Sequence, residues 1–134
     1  MESIIPDRTP VDARYLADSG WQTLSLGSQF AAYNQAYAPR YRKIGYTVHV
    51  VGIITPTQTI AGGYTEYTMF TLPADARPAV PVYTICQGSG GYVWLFCINT
   101  NGVATFSRYR NYGTNWINAE AGNWFPFSAT FMTA

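Results

Sequence analysis

Residues 108–124, Arg-Tyr-Arg-Asn-Tyr-Gly-Thr-Asn-Trp-Ile-Asn-Ala-Glu-Ala-Gly-Asn-Trp, interleave flat aromatic rings with planar amide and guanidinium groups. Saccharides ask for this mixture. The C–H faces of a sugar stack on Trp or Tyr, and its vicinal hydroxyls take paired hydrogen bonds from Asn, Arg, Asp or Glu. Trp116 is the expected platform, because it stands among Gly113, Asn115 and Asn118 and not in an alternating run. Tyr109, Arg110, Tyr112, Asn111 and Asn115 are its expected companions, with Arg108 or Arg110 as charge partner for any phosphate on the polysaccharide. A competing reading makes Trp116-Ile117 a last core strand, the indole plugging a barrel or a subunit seam. Trp21, Trp94 and Trp124 lie in strand-like runs and read as core or interface.

The remaining reactive side chains carry less. His49, the single histidine, sits on the polar face of an alternating run, where it could hydrogen-bond a sugar or a neighbouring subunit, or simply be a half-buried strand residue. It has no Cys or carboxylate at metal-ligand spacing, so no metal and no cofactor are expected. Glycoside hydrolysis needs a carboxylate pair across the scissile bond, and after residue 19 only Glu66, Asp75 and Glu120 are available. With no Gly-x-Ser-x-Gly, P-loop or His-Glu-x-x-His run either, the expectation is a binding protein and not an enzyme. The two cysteines read as free and buried. A turn at Ser89-Gly90 would set Cys86 opposite Val93 and Cys97 opposite Val82, about 13 Å apart along the sheet and too far for a disulfide.

These side chains must be positioned by strands. Residues 41–56 read as one central strand, with Ile44, Tyr46, Val48, Val50 and Ile54 on the core face and Thr47 and His49 on the other. Gly52 marks either a bulge or a close approach by another backbone, and Pro56 ends the pairing. Further strands are expected at Trp21–Leu26, Phe30–Tyr33, Glu66–Leu72, Val80–Gln87, Gly91–Ile98, Val103–Tyr109 and Trp124–Met132, with hairpin turns at Ser89-Gly90 and Asn101-Gly102. The second hairpin would put Trp94 opposite Tyr109. Seven to nine short strands with turn signals between them make an all-β domain, a sandwich, jelly roll or barrel.

Composition narrows the setting. The chain has 134 residues, 16% aromatic and only 11% charged, with a formal net charge of +1. That is too little charge for a nucleic-acid footprint, and the longest apolar run, Val93–Ile98, is too short to span a bilayer. A surface covered by Thr, Ser, Asn, Gln, Gly and Tyr suits a virion or extracellular β-protein. No signal peptide or Asn-x-Ser/Thr sequon stands in the chain, which fits assembly in a host cytoplasm. Residues 1–19, with Pro6, Pro10 and at most a short helical turn around residues 11–16, read as a linker or collar, and residues 20–134 as the β domain.

Four pieces in order carry a resemblance: Gly20-Trp21-Gln22; Tyr41-Arg42-Lys43-Ile44-Gly45 followed by Val48-x-Val50-x-Gly52; Phe70-Thr71-Leu72-Pro73 with Arg77-Pro78 behind it; and the Ile98-x-x-x-Gly102 hairpin. This order resembles the head domain of receptor-binding and baseplate proteins of tailed phages that infect lactococci, streptococci and related Gram-positive bacteria. It covers most of residues 19–134. The resemblance implies a compact homotrimeric head at the virion tail tip that binds cell-wall polysaccharide, joined through its N-terminal side to other baseplate or tail proteins. Two alternatives stay open, a structural baseplate module of the same fold with no glycan site and a carbohydrate-binding appendage of a lytic enzyme.

Overall fold

In the computed structural model, residues 17–113 and 115–134 are described. The turn expected around residues 11–16, and most of the expected collar, lie outside the described residues; Ala17 to Ser19 already bond to the end of a strand through Asp18–Ile44 bridging and a Ser19 N–H to Lys43 carbonyl bond of 2.9 Å.

The nine strands are β1 (Gln22–Thr23), β2 (Phe30–Ala32), β3 (Arg40–Ile44), β4 (Thr47–Pro56), β5 (Tyr67–Thr71), β6 (Val82–Gln87), β7 (Val93–Ile98), β8 (Val103–Arg110) and β9 (Phe125–Met132). They form two antiparallel sheets. In the first, β4 is the spine, with β9 along one side and β3 then β2 along the other, and β1 outside β3. In the second the order is β5-β8-β7-β6. Of the architectures expected, the chain adopts the sandwich.

Alternation in β4 sets the core: Val48, Val50 and Ile54 are fully buried, and Gly52 stands between them. A Cβ on Gly52 would come 2.6 Å from the Cα of Pro39. The glycine therefore serves a close backbone approach and not a bulge, and the β4 register is unbroken. Facing these residues, Trp94, Phe96 and Phe106 of the second sheet pack against Phe125 and Phe127. Ring centroids are 4.8 Å apart for Phe96–Phe127 and 4.9 Å for Phe106–Phe125. Truncating one such ring to alanine typically costs about 3–5 kcal/mol.

Several expectations need correction. The single strand expected over residues 41–56 is the β3–β4 hairpin, turned at Gly45-Tyr46, where Gly45 has φ +60°. The turn ejects Ile44 and Tyr46, two expected core residues, to the surface. The first strand ends at Thr23, because the chain then crosses between sheets: the Leu24 N–H bonds to Pro39 and the Gly27 N–H to Met69. In β5 a register shift between Thr68 and Phe70 buries Met69 and Phe70 together, breaking the expected alternation. The β6–β7 turn is wider than expected, with Gly90 and Gly91 both at positive φ. Cys86 consequently pairs with Trp94 and Cys97 with Tyr83. That one-residue slip places the thiols on opposite faces of the sheet; both remain free and buried. Trp94, expected opposite Tyr109, lies where β8 loses its regular pairing between the Val93–Arg110 and Leu95–Ser107 pairs, and its ring stacks on Phe106 at 4.8 Å.

Candidate functional site

The loop after β8 is positioned by an irregularity inside β8. Between the Leu95–Ser107 and Val93–Arg110 pairs the strand carries one extra residue, and Arg108 there has φ +60°. Left-handed backbone at a residue with a Cβ costs on the order of 1–2 kcal/mol. The bulge re-phases the strand. Tyr109 turns inward, and Arg110 turns to the outer face of the sheet.

Arg108 is held at both ends. Its N–H donates to the Gly63 carbonyl (2.9 Å), Nη1 donates to Ser107 Oγ (3.0 Å), and the guanidinium carbon lies 5.1 Å from the Tyr64 ring centroid. Tyr64 in turn meets Trp116 edge-on at 4.9 Å and 74°. This ring pair exists because two loops cross. Ile60 and Ala119 exchange backbone bonds of 2.8 Å, the Gly62 N–H donates to Asn118 Oδ1 (3.2 Å), and a Cβ on Gly62 would come 2.5 Å from the Ile117 carbonyl oxygen. Trp116 bridges back to Arg110, and the Ile117 N–H donates to the Tyr109 carbonyl. Ile117 packs on the core while Trp116 stays 39% exposed, so the dipeptide splits between the two readings offered for it.

The product is a cleft of about 170 Å³ on the outer face of the second sheet, with Tyr64 and Trp116 as rings, Ile85, Val93 and Leu95 as apolar floor, and Arg108 and Arg110 as cations. Among the described residues Arg110 has no side-chain hydrogen bond or ion pair, which leaves its guanidinium open to a ligand. No carboxylate lines the cleft. Glu120 accepts a 2.6 Å bond from the Thr59 hydroxyl. Rings for C–H faces and unspent donors for hydroxyl or phosphate oxygens suit reversible binding.

The other expected site residues separate. Tyr112 is highly exposed, does not line the cleft, and meets Tyr92 edge-on at 5.5 Å. Asn111 Oδ1 accepts from the Gly113 N–H (3.0 Å) and shapes the loop, and Asn115 is exposed, its carbonyl taking the Asn111 N–H. Tyr109 does not reach a ligand. It is 3% exposed, its ring meets Phe125 at 4.8 Å, and its hydroxyl donates to the Ser89 carbonyl (2.7 Å); burial, then the neighbouring Tyr92, pushes its phenol up from the ordinary value. The inward turn of the bulge is the cause. Tyr64 is the member of the cleft that sequence reasoning missed. The Gly62-Gly63 pair just before it was the available signal of a tight loop approach.

His49 lies on the outer face of the other sheet, hydrogen-bonded through Nδ1 to Thr130 Oγ1 (2.8 Å) and edge-on to Trp21 at 5.9 Å. It is therefore apart from Trp116. Around it stands a second cluster: Arg40 and Arg42 approach the Trp21 ring at 4.6 and 5.9 Å, and Arg42 grips Asp18 through both carboxylate oxygens (3.0 and 2.5 Å). The Arg42 bonds, with the Gly20 N–H behind them, lower the Asp18 carboxyl to about 2.

No protein-family model matches the chain, and no curated protein sequence does. Solved structures do. The head domain of the lactococcal phage bIL170, described as a receptor-binding domain, is similar with a TM-score of 0.61 and 16% identity, over 85% of this chain and 97% of that one. The receptor-binding protein of Listeria phage PSA is similar with a TM-score of 0.60 and 14% identity, over 99% of this chain and 75% of that one. At such identities the likeness is one of fold, and the fold is the one these phage receptor-binding domains use.

Proposed function

We propose that this domain is the receptor-binding head of a phage tail, and that it attaches reversibly to saccharide of the host cell wall through the Trp116 cleft. The observation that carries the reading is the exposed Trp116–Tyr64 ring pair flanked by Arg108 and Arg110, built on a fold shared with phage receptor-binding domains. A single shallow cleft binds weakly. A homotrimeric head, repeated around a tail tip and joined to it on the N-terminal side, would convert weak sites into firm attachment through effective concentration. Chemistry on the saccharide is not required of such a head, nor is a cofactor.

One observation favours a second reading, a structural baseplate module. Tyr83 and Ile85 are exposed apolar neighbours on one face of β6, an edge strand whose outer backbone is unpaired in its sheet, and such edges serve protein contacts.

The test is sedimentation of the full chain with cell walls from a panel of lactococcal, streptococcal and Listeria strains, wild type beside Trp116→Ala, after circular dichroism and light scattering establish fold and oligomeric state. Strain-selective binding that the folded variant loses supports the saccharide cleft. A folded wild-type protein that binds none of the walls supports the structural module.

A further inference from the structure

A groove larger than the cleft, about 630 Å³, lies elsewhere, over the outer face of β4 and β9 and reaching the edge of β6. Two aromatic rings line it, Tyr37, 51% exposed, and Trp124, 40% exposed. Sequence reasoning assigned Trp124 to core or interface, and the cleft around Trp116 does not use it.

Both residues are anchored by backbone. The Trp124 N–H donates to Ser89 Oγ (2.7 Å), and its carbonyl accepts from the Ser89 N–H (2.9 Å), so the residue is clamped on both sides while its ring stays in solvent. Tyr37 closes a 3-10 turn, Gln35–Tyr37, capped by Asn34 Oδ1 (3.2 Å); the following Pro39 is pressed onto Gly52, where any side chain would collide. Between the rings, Ile53 supplies an apolar floor, and Arg40, Gln87 and Ser128 supply polar groups. The Arg40 guanidinium lies on Trp21 with no hydrogen bond or ion pair among the described residues. Gln87 spends one amide hydrogen on the Gly91 carbonyl (2.8 Å) and keeps its amide oxygen.

The groove and the cleft share β6. Ile85 lines the cleft and Gln87 lines the groove. Two apart on one strand, they face the same way about 7 Å from each other. Tyr112 stands at the Gln87 end. Its hydroxyl lies 2.7 Å from where a Cβ of Gly91 would stand, and the Gln87 amide nitrogen is 3.5 Å from the same point. Rings thus line both sites, Trp116 with Tyr64 in the cleft and Trp124 with Tyr37 in the groove, with Tyr112 near Gln87.

We propose that cleft and groove form one track that holds a single polysaccharide chain across the β6 edge, the Trp124–Tyr37 groove taking the sugar units that extend beyond those at Trp116. The inference rests on the saccharide reading of the cleft and adds a second, unassigned subsite. The occupant is a saccharide because the groove sets the exposed rings of Tyr37 and Trp124 beside single polar groups from Arg40, Gln87 and Ser128. Its volume also falls within the span of small-ligand sites, and stacked rings alternating with single donors and acceptors match a repeating sugar better than a flat apolar surface.

The probe is wall polysaccharide released from the strain the protein binds best, cut into short and long fragments and titrated calorimetrically into the full chain. Wild type should bind long fragments about tenfold more tightly than short ones. Trp124→Ala and, independently, Tyr37→Ala should erase that advantage and leave short-fragment affinity unchanged, whereas Trp116→Ala should weaken both. Tyr37→Ala, on an exposed turn, keeps the test valid if Trp124→Ala misfolds. The track is overturned if affinity does not rise with length, if both groove variants bind long fragments as wild type does, or if they weaken short and long fragments equally. Loss at Trp116 with no effect at the groove would leave the cleft reading standing and remove only the track. No binding by wild type removes both.

Discussion

Two surfaces of this sandwich are built from the same side chains and differ in what those side chains have left to offer. On one sheet Arg42 is spent on Asp18 and His49 on Thr130, and the Trp21 indole lies against the Arg40 and Arg42 guanidinium groups and the imidazole, with Arg40 making no hydrogen bond or ion pair among the described residues. On the other, Trp116 and Tyr64 meet each other edge-on, Arg108 spends one bond on Ser107, and Arg110 spends none among the described residues. Residue type alone makes both look like saccharide sites. What separates them is that Arg42 and His49 are already paired and Arg40 lies on the Trp21 ring, whereas Trp116 and Arg110 face the cleft, and a guanidinium already paired gains little from a sugar hydroxyl. Backbone strain points the same way. Arg108 is the one described residue other than glycine at positive φ, and it stands at the cleft.

The sharpest way to break this comparison is to remove one indole from each surface. Trp116→Ala should weaken wall binding by about thirtyfold, or about 2 kcal/mol, as for a central ring at an interface. Trp21→Ala should leave binding of short wall fragments unchanged and lower unfolding stability by about 1 kcal/mol, the scale of exposed cation–π contacts. Denaturant titration beside calorimetry reads both. Equal losses of binding would erase the distinction.

A smaller effect sharpens it. Arg108→Gly relieves left-handed strain worth on the order of 1–2 kcal/mol and forfeits a hydrogen bond and a ring contact of about 1 kcal/mol, so the unfolding midpoint should hold or rise slightly while wall binding falls several-fold. A clear fall in stability would show that the arginine is there for the fold.

Smaller still is the response of the Trp21 surface to acid. Asp18 has its pKa lowered from the ordinary carboxylate value to about 2 by Arg42. A depressed carboxylate contributes stability above the unfolded value that is lost as pH falls through the folded one. Asp18→Asn should thus unfold slightly earlier than wild type at neutral pH. The difference should shrink below pH 4 and vanish near pH 2, measured by thermal melts across that range. The least response is expected at the thiols. Burial raises the Cys86 pKa to about 11 and pushes Cys97 up as well, so a neutral disulfide reagent should label neither until the protein unfolds.

The elements were legible in the sequence where a residue's own chemistry decided the outcome. Val48, Val50 and Ile54 announced a buried face, Asn101-Gly102 a hairpin, and Phe125, Phe127 and Ala129 a last strand, and the structure holds all of them. What the sequence left hidden was set by register. Gly45 fell in step with Thr47 and His49 on the polar face of one expected strand, although it turns that strand into two. The extra residue in β8, which carries no glycine, decides that Tyr109 goes in and Arg110 comes out. Tyr64 joined the site only through the approach of two loops more than fifty residues apart in the chain, a contact no local pattern encodes.

The central claim is that Trp116, and not its counterpart across the sandwich, holds the saccharide. Calorimetric titration of short wall fragments into wild type, Trp116→Ala and Trp21→Ala tests it most directly. The account predicts that wild type and Trp21→Ala bind alike and that folded Trp116→Ala binds about thirtyfold more weakly. Full binding by Trp116→Ala, or its loss in a folded Trp21→Ala, would contradict it.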